Sequence, residues 1–264
     1  MNRFAVCLAV LALTPLSAQA HRSFLLPSST VLAQGEQTVT VDAARGNDLF
    51  YFNHNAMPVD NLHIFAPDNS EIAPAKIDRF RYRVVLDFVT AEQGTHRVAV
   101  LDQGLRAHWK TGDDNHRWTG SRADFASSVP ADAEDLSVAE INNRIETFIT
   151  TGAPTDLPIS GSGLEARYAP HPNDLFAGEQ ATLTFLLDGK PATNLKITVI
   201  EGGTRYRNQA DALTLTTNDA GEATLTWPRA GLYWINAGVR RDDAQAPATR
   251  SSASYTATVE VLPQ

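Results

Sequence analysis

The chain of 264 residues carries seven histidines, and one of them, His21, stands where a single residue can offer two metal ligands. It follows "SAQA" (17–20), whose Ala18-Gln19-Ala20 has the small-x-small form that signal peptidase cuts after. Cleavage there would leave His21 as the amino terminus. Its free amine and its ring Nδ1 would then close one chelate ring on a metal ion. A second histidine would complete a brace of three nitrogens, a ligand set that suits Cu(II) by type and geometry. The amine binds only when deprotonated, so such a site is expected to weaken on acidification.

The other histidines are weighed by their surroundings. His54 lies in "YFNHNAMP", after an aromatic stretch and before a proline turn, where a loop is well placed to meet the amino terminus. His63 alternates with Leu62 and Ile64, the pattern of a strand histidine. The expected ligands are therefore His21, with His54 and His63 as candidates for the second imidazole. His108 and His116, in "HWKTGDDNHRW", are separated by more than common zinc-ligand spacings, and read as a polar loop anchored by Trp109 and Trp118. His171, between two prolines in "APHPND", reads as a structural hydrogen bonder. Arg79, Arg81 and Arg83 alternate with Phe80, Tyr82 and Val84, and are expected to form a solvated strand face paired with acids. No Gly-x-Ser-x-Gly elbow, His-Glu-x-x-His pair or phosphate-binding Gly-Lys loop occurs in the sequence.

The elements that must position these groups read mostly as strands. Residues 1–20 have the build of a leader: Arg3, then a ten-residue apolar core from Phe4 to Leu13, too short for a membrane anchor. Its removal takes away Cys7, the only cysteine, and with it any thiolate ligand or disulfide. The product is expected to be exported to the periplasm and not to span a membrane. A net charge of −8, with no Lys/Arg block, excludes the usual electrostatics of nucleic-acid binding. Alternation marks "QTVTVDAA" (37–44), "NLHIF" (61–65), "RFRYRVVLDFV" (79–89) and "GTHRVAVLD" (94–102). The texture returns in "EQATLTFLL", "NLKITVIEGG", "ALTLTTNDAGEATLTWP", "GLYWINAGVRR" and "SASYTATVEVL", where Asn218–Gly221 signals a hairpin. The expected fold is all-β: two β-sandwich domains of immunoglobulin or transthyretin type, over 21–103 and 164–264. Residues 104–163 are expected to form a mostly irregular junction, with a short helix capped by the box Ser137–Glu140 and a flexible joint at Gly161-Ser162-Gly163.

Several segments together carry a family likeness: "AHRSFLLP" at 20–27, "HNAMPVDNLHIFAPD", "RIETFITTGAPT", "HPNDLFAGEQATLTFLLDGKPA", "GGTRYRN" and "NDAGEATLTWPRAGLYWINA". They resemble bacterial periplasmic proteins classed as domain of unknown function 4198. The likeness covers almost the whole chain after residue 20 and is most specific in the C-terminal half. It implies an exported, β-rich protein linked to divalent metals, since members are often assigned by analogy to cobalt or nickel uptake. Many members have Tyr after Gly-Thr, where this chain has His96.

These readings converge on an expected function: a periplasmic protein, not an enzyme, that buffers a transition metal or delivers it to an inner-membrane uptake system. Cu(II) is the expected ion, with nickel or cobalt as alternatives. Two rival classes differ in a checkable way. A histidine brace on a β-sandwich is also the copper site of oxidative polysaccharide-cleaving enzymes, which need a flat aromatic surface beside the metal. A metal-free carbohydrate- or partner-binding module would use Trp109, Trp118 and the arginine row instead.

Overall fold

The computed structural model of the protein describes residues 21–264. The expected leader and its cleavage site, 1–20, lie outside the described residues, and His21 is the first residue within them.

In the N-terminal half the strands are β1 (Arg22–Pro27), β2 (Val31–Leu32), β3 (Gln37–Gly46), β4 (Asn55–Ala56), β5 (Leu62–Phe65), β6 (Glu71–Ile72), β7 (Lys76–Arg79) and β8 (Val84–Thr90). Three more follow: β9 (Gly94–Thr111), β10 (Asp114–Gly120) and β11 (Glu134–Thr151). The C-terminal half supplies β12 (Leu164–Ala169), β13 (Gln180–Leu187), β14 (Lys190–Pro191), β15 (Lys196–Glu201), β16 (Leu213–Thr216), β17 (Glu222–Thr226), β18 (Gly231–Arg241) and β19 (Arg250–Val261). The one α-helix among the described residues is the single turn Phe125–Ser128. The fold is all-β, as the alternation predicts.

Three sheets are formed. A ten-stranded sheet runs β16-β15-β18-β19-β11-β9-β5-β6, with β10 and β2 at its margins. A five-stranded sheet contains β1, β3, β4, β7 and β8, and a four-stranded sheet contains β12, β13, β14 and β17. Strand alternation decides how they stack. In β11 the neighbours Phe148 and Ile149 point to opposite faces and enter different cores. Ile149 joins Val98 and Val100 of β9 against Val39, Val41, Leu86 and Phe88 of the five-stranded sheet. Phe148 joins Tyr255 and Ile235 against Leu183, Phe185 and Leu225 of the four-stranded sheet. The two small sheets therefore cover opposite faces of the large one, displaced along it. Each makes a sandwich, and the large sheet is common to both.

The region expected to be an irregular junction is largely strand. β9 runs unbroken through it, and turns at Gly112 (φ +59°) and Asp113 into β10. That two-residue turn led by glycine is a hairpin signal inside the segment expected to be a polar loop. Leu105, Ala107, Val129, Val138 and Ala248 form a small core here, on which Trp109 and Trp118 pack. Ser137–Glu140 is strand, not a capped helix. Val138 and Ala139 pair with β9 on one side, and Ala139 pairs with β19 on the other. Two ladders of backbone hydrogen bonds outweigh one local cap.

Three smaller expectations also change. The alternation at 79–89 breaks at a turn closed by Phe80 N–H donating to the Arg83 carbonyl, so the three arginines share no strand face. Arg79 pairs with Asp60 at 3.2 Å, and Arg83 with Asp42 at 3.4 Å. The Asn218–Gly221 turn forms, but it sends β16 and β17 to different sheets. Gly161–Gly163 is tied down: the Ser160 and Gly161 amides donate to Glu165, and the Gly163 amide donates to Asp188.

Candidate functional site

The metal-centre candidates meet at one end of the five-stranded sheet. Strand β3 lies between β1 and β4, with Ser23 and Asn55 both opposite Arg45. His21 precedes β1 and His54 precedes β4, so both histidines emerge at the same end of β3. The loop between β3 and β4 folds back over Gly46. A Cβ at Gly46 would collide with the Asp48 and Tyr51 carbonyls, so this return path requires glycine. Leu49 is buried among Phe24, Ile200 and Trp234, and its amide donates to Thr204 Oγ1 at 2.9 Å, which anchors the loop to the C-terminal half.

The result is a stack of two imidazoles. The His21 and His54 ring centroids are 3.4 Å apart, with 16° between their planes. His21 Nδ1 is hydrogen-bonded to Asn47 Oδ1 at 2.8 Å. Asn47 is itself held by Asn53, whose Oδ1 accepts from the Asn47 amide and whose Nδ2 donates to Asp48. Desolvation, then the His21 ring, then the Arg45 guanidinium hold the His54 pKa below the usual histidine value. His54 thus keeps its lone pair to lower pH than an ordinary histidine does, which suits a ligand. Among the described residues no three His, Cys, Asp or Glu side chains are gathered to hold a metal. An imidazole nitrogen donates in its ring plane, so two rings stacked at 16° do not aim at one ion as they stand. Shared ligation would need the rings to turn out of the stack, and a third nitrogen would come from a His21 amine. Chelation through Nδ1 would replace the Asn47 hydrogen bond.

The remaining histidines lie apart from this pair. His63 points away from Ile64, which is in the core; it pairs with Glu71 at 2.9 Å and stacks on Phe65. Period-two alternation puts it on the outer face of β5. His108 pairs in register with Arg117, whereas His116 pairs with Trp109, so the two histidines face opposite sides of their hairpin. His96 is buried beside Phe88, with Nδ1 unpartnered among the described residues, and burial lowers its pKa. His171 accepts from the Asn173 amide at Nδ1, which leaves Nε2–H to donate to Thr95 Oγ1 at 3.2 Å. Trp109 stacks on His116 and Trp118 lies edge-on to Phe125, so both rings build the hairpin's own core.

Beside the histidine pair a groove of about 1060 Å³ opens. The displacement of the two small sheets creates it: on the face that the five-stranded sheet covers over β5, β9 and β11, Phe24, Ala44 and Leu49 reach Ile200 and Trp234, and beyond them Thr198, Asn236 and Thr256 of β15, β18 and β19 line the groove. Its floor is a row of paired residues, Thr198, Asn236, Thr256 and Ile145, with Ser254 and Asn143 alongside. His21, Arg22 and Arg45 form its rim, and Trp234 closes one wall. Trp234 Nε1 donates to the Ser23 carbonyl at 3.0 Å, joining the two halves. The sequence reading missed these groove residues. Alternation in "SASYTATVEV" separates Ser252, Ser254 and Thr256 from Ala253, Tyr255 and Ala257, but it does not say what the polar face lines.

Comparison with solved structures yields weak likenesses to modular β-proteins. A four-domain ICAM-5 ectodomain fragment is 12% identical, with a TM-score of 0.24, over 92% of this chain and 51% of that one; the chain thus spans about half that fragment's length. The D0-D1 domain of intimin is 12% identical with a TM-score of 0.21, over 90% of this chain and 97% of that one. The FN1-FN3 domains of chicken CNTN1 are 7% identical with a TM-score of 0.23, over 92% and 99% of the two chains. Superposition this loose carries no functional argument, and the fold assignment rests on the strands and cores above. No curated protein matches the chain in sequence. A family profile matches residues 18–241, most of the chain, in keeping with the motifs at its start and in its C-terminal half; the protein belongs to the family described as Domain of unknown function (DUF4198).

Proposed function

We propose that the exported and processed protein is a periplasmic binder of one divalent transition metal, Cu(II) most tightly, with nickel or cobalt as weaker cargo, and that it buffers the ion or passes it to an inner-membrane transporter. The observation that carries this reading is the proximity of His21 and His54, whose side chains meet with ring centroids 3.4 Å apart where cleavage would expose an amine. Binding one ion requires the two rings to swing out of their stack so that both nitrogens face it. Three nitrogens from two residues favour copper over its first-row neighbours. The lowered pKa of His54 favours its neutral, ligating form, and weakening on acidification is expected from protonation of the amine. His63 is not part of this ligand set, because it is committed to Glu71 on another face.

The test is a copper titration of protein that begins at His21, with the intact mass verified. One Cu(II) per chain is expected. A chain extended by one glycine ahead of His21 turns the amine into an amide and should lose at least about 100-fold in affinity, the scale of breaking a chelate ring or its close support. His54→Ala should weaken binding less, because two nitrogens persist. Equal affinity of the extended and processed chains overturns the brace.

A further inference from the structure

The groove beside the histidine pair has an electrostatic character opposite to that of the protein. The whole chain carries −8, yet the rim presents guanidinium groups. The groove also contains two acids, and both are already matched. Asp102 pairs with Arg106 at 2.6 Å, and Asp60 pairs with Arg79 at 3.2 Å. That leaves Arg22 and Arg45, each half-buried and neither in an ion pair among the described residues. Arg22 lies 5.9 Å over the Trp234 ring, and its only polar contact there is a long 3.5 Å approach to the Asn47 carbonyl. Two half-buried guanidiniums facing one cavity, without a carboxylate of the protein's own, are a ready-made fork for carboxylates from outside.

The floor adds a second requirement. Asn236 Nδ2 donates to Thr256 Oγ1 at 2.9 Å and to the Tyr255 carbonyl at 3.2 Å, and Ser254 Oγ donates to Asn143 Oδ1 at 2.7 Å. These pairs fix the floor's side chains and leave the Thr198 and Thr256 hydroxyls to donate, and Asn236 Oδ1 to accept, toward the cavity. The volume is that of a small-molecule site. A ligand with several oxygens spread over a compact skeleton satisfies both rim and floor.

We propose that this groove binds a small polycarboxylate anion, with its carboxylates on Arg22 and Arg45, its remaining oxygens on the Thr198 and Thr256 hydroxyls, and any ligand hydroxyl donating to Asn236 Oδ1. One further reason rests on the metal reading given above. Two neutral imidazoles bring no negative charge to a divalent ion, and Arg22 and Arg45 repel it. An anionic chelator seated in the groove supplies the missing charge, so the cargo would arrive as a metal–carboxylate complex.

The experiment uses metal-free protein beginning at His21, titrated calorimetrically with citrate, succinate and the uncharged sugar maltose. Saturable binding of one citrate, weaker succinate binding and no maltose binding are expected. Arg22→Gln and Arg45→Gln should each weaken citrate by about tenfold or more, with Arg45→Lys intermediate because it keeps the charge and loses the fork. Arg167→Gln, an exposed arginine on the four-stranded sheet, should change nothing. Thermal melts of each variant confirm folding. Failure of citrate and succinate to bind, binding unaltered in both glutamine variants, or binding of maltose in their place overturns the proposal. His54→Ala separates the two readings: it should reduce copper binding and leave citrate binding to metal-free protein intact.

Discussion

The two faces of strands β15, β18 and β19 come from alternating residues of the same three segments, and they have opposite fates. One face sends Ile197, Ile235, Tyr255 and Ala257 under the four-stranded sheet. The other sends Thr198, Asn236 and Thr256 into an open groove. The covered face even encloses charge. Arg144, 4% exposed, pairs with Glu165 at 3.0 Å and Glu146 at 3.4 Å. The Tyr168 and Tyr255 hydroxyls meet at 2.8 Å, and burial drives both phenol pKa values up, so both hydroxyls stay protonated. The open face has small polar residues at equivalent positions and free guanidiniums at its rim. The lesson is that a polar group under a covering sheet must be satisfied internally, whereas one lining a cavity keeps capacity for a ligand.

The sharpest break of this contrast is Arg144→Leu. It strands two buried carboxylates and should cost about 3–5 kcal/mol, read by urea denaturation. Adding Glu165→Gln should recover part of the loss. A cost below about 1 kcal/mol for Arg144→Leu would mean that water reaches the network and that the covered face is not dry. Next in size is Gly46→Ala, which pushes a methyl group into the Asp48 and Tyr51 carbonyls. A loss of about 1–3 kcal/mol is expected, as for other backbone collisions, together with weakened copper binding as the loop carrying His54 shifts. Unchanged copper affinity in a destabilised Gly46→Ala protein would detach the loop from the metal reading.

Acidification gives a smaller effect. Burial lowers the pKa of His96 and His171, so the folded chain takes up these protons at lower pH than the unfolded chain does. Unfolded histidines titrate near pH ~6.5. Stability should therefore fall as pH drops below about 6.5, and level off once the folded pKa values are passed. His96→Leu should make the melting temperature fall less steeply between neutral pH and pH ~5. An identical acid slope would show that other groups dominate. Thr198→Val closes the series. Half-buried on the groove floor and without a side-chain hydrogen bond among the described residues, it should change stability by less than about 1 kcal/mol while weakening citrate several-fold, which separates ligand contact from fold.

How much of this was readable in advance follows from local rules. The alternation of "QTVTVDAA" and "EQATLTFLL" named the core strands residue by residue, because a half-buried strand must place apolar groups at every second position. The same rule failed at 79–89, where alternation continues in sequence across a turn. The hairpin at Gly112-Asp113 was present in the chain and outweighed by the polarity of its surroundings. His54 was a candidate because it sits in a loop, and the structure brings it to His21; His63 was also a candidate, and its strand faces elsewhere.

The sequence by itself determined the all-β class, the alternating cores, the small-residue site ahead of His21 and the absence of cysteine after residue 20. These depend on residue type and short-range spacing alone. Only the tertiary structure decided that one ten-stranded sheet is shared, that the two small sheets take opposite faces, and that Arg22, Arg45, His21 and His54 gather at the mouth of the groove. Those outcomes depend on which strands pair across long separations, such as β11 with β19, more than a hundred residues apart in their partners Ala139 and Arg250. Pairing at that range is chosen by the joint burial of many side chains, a property no single segment carries.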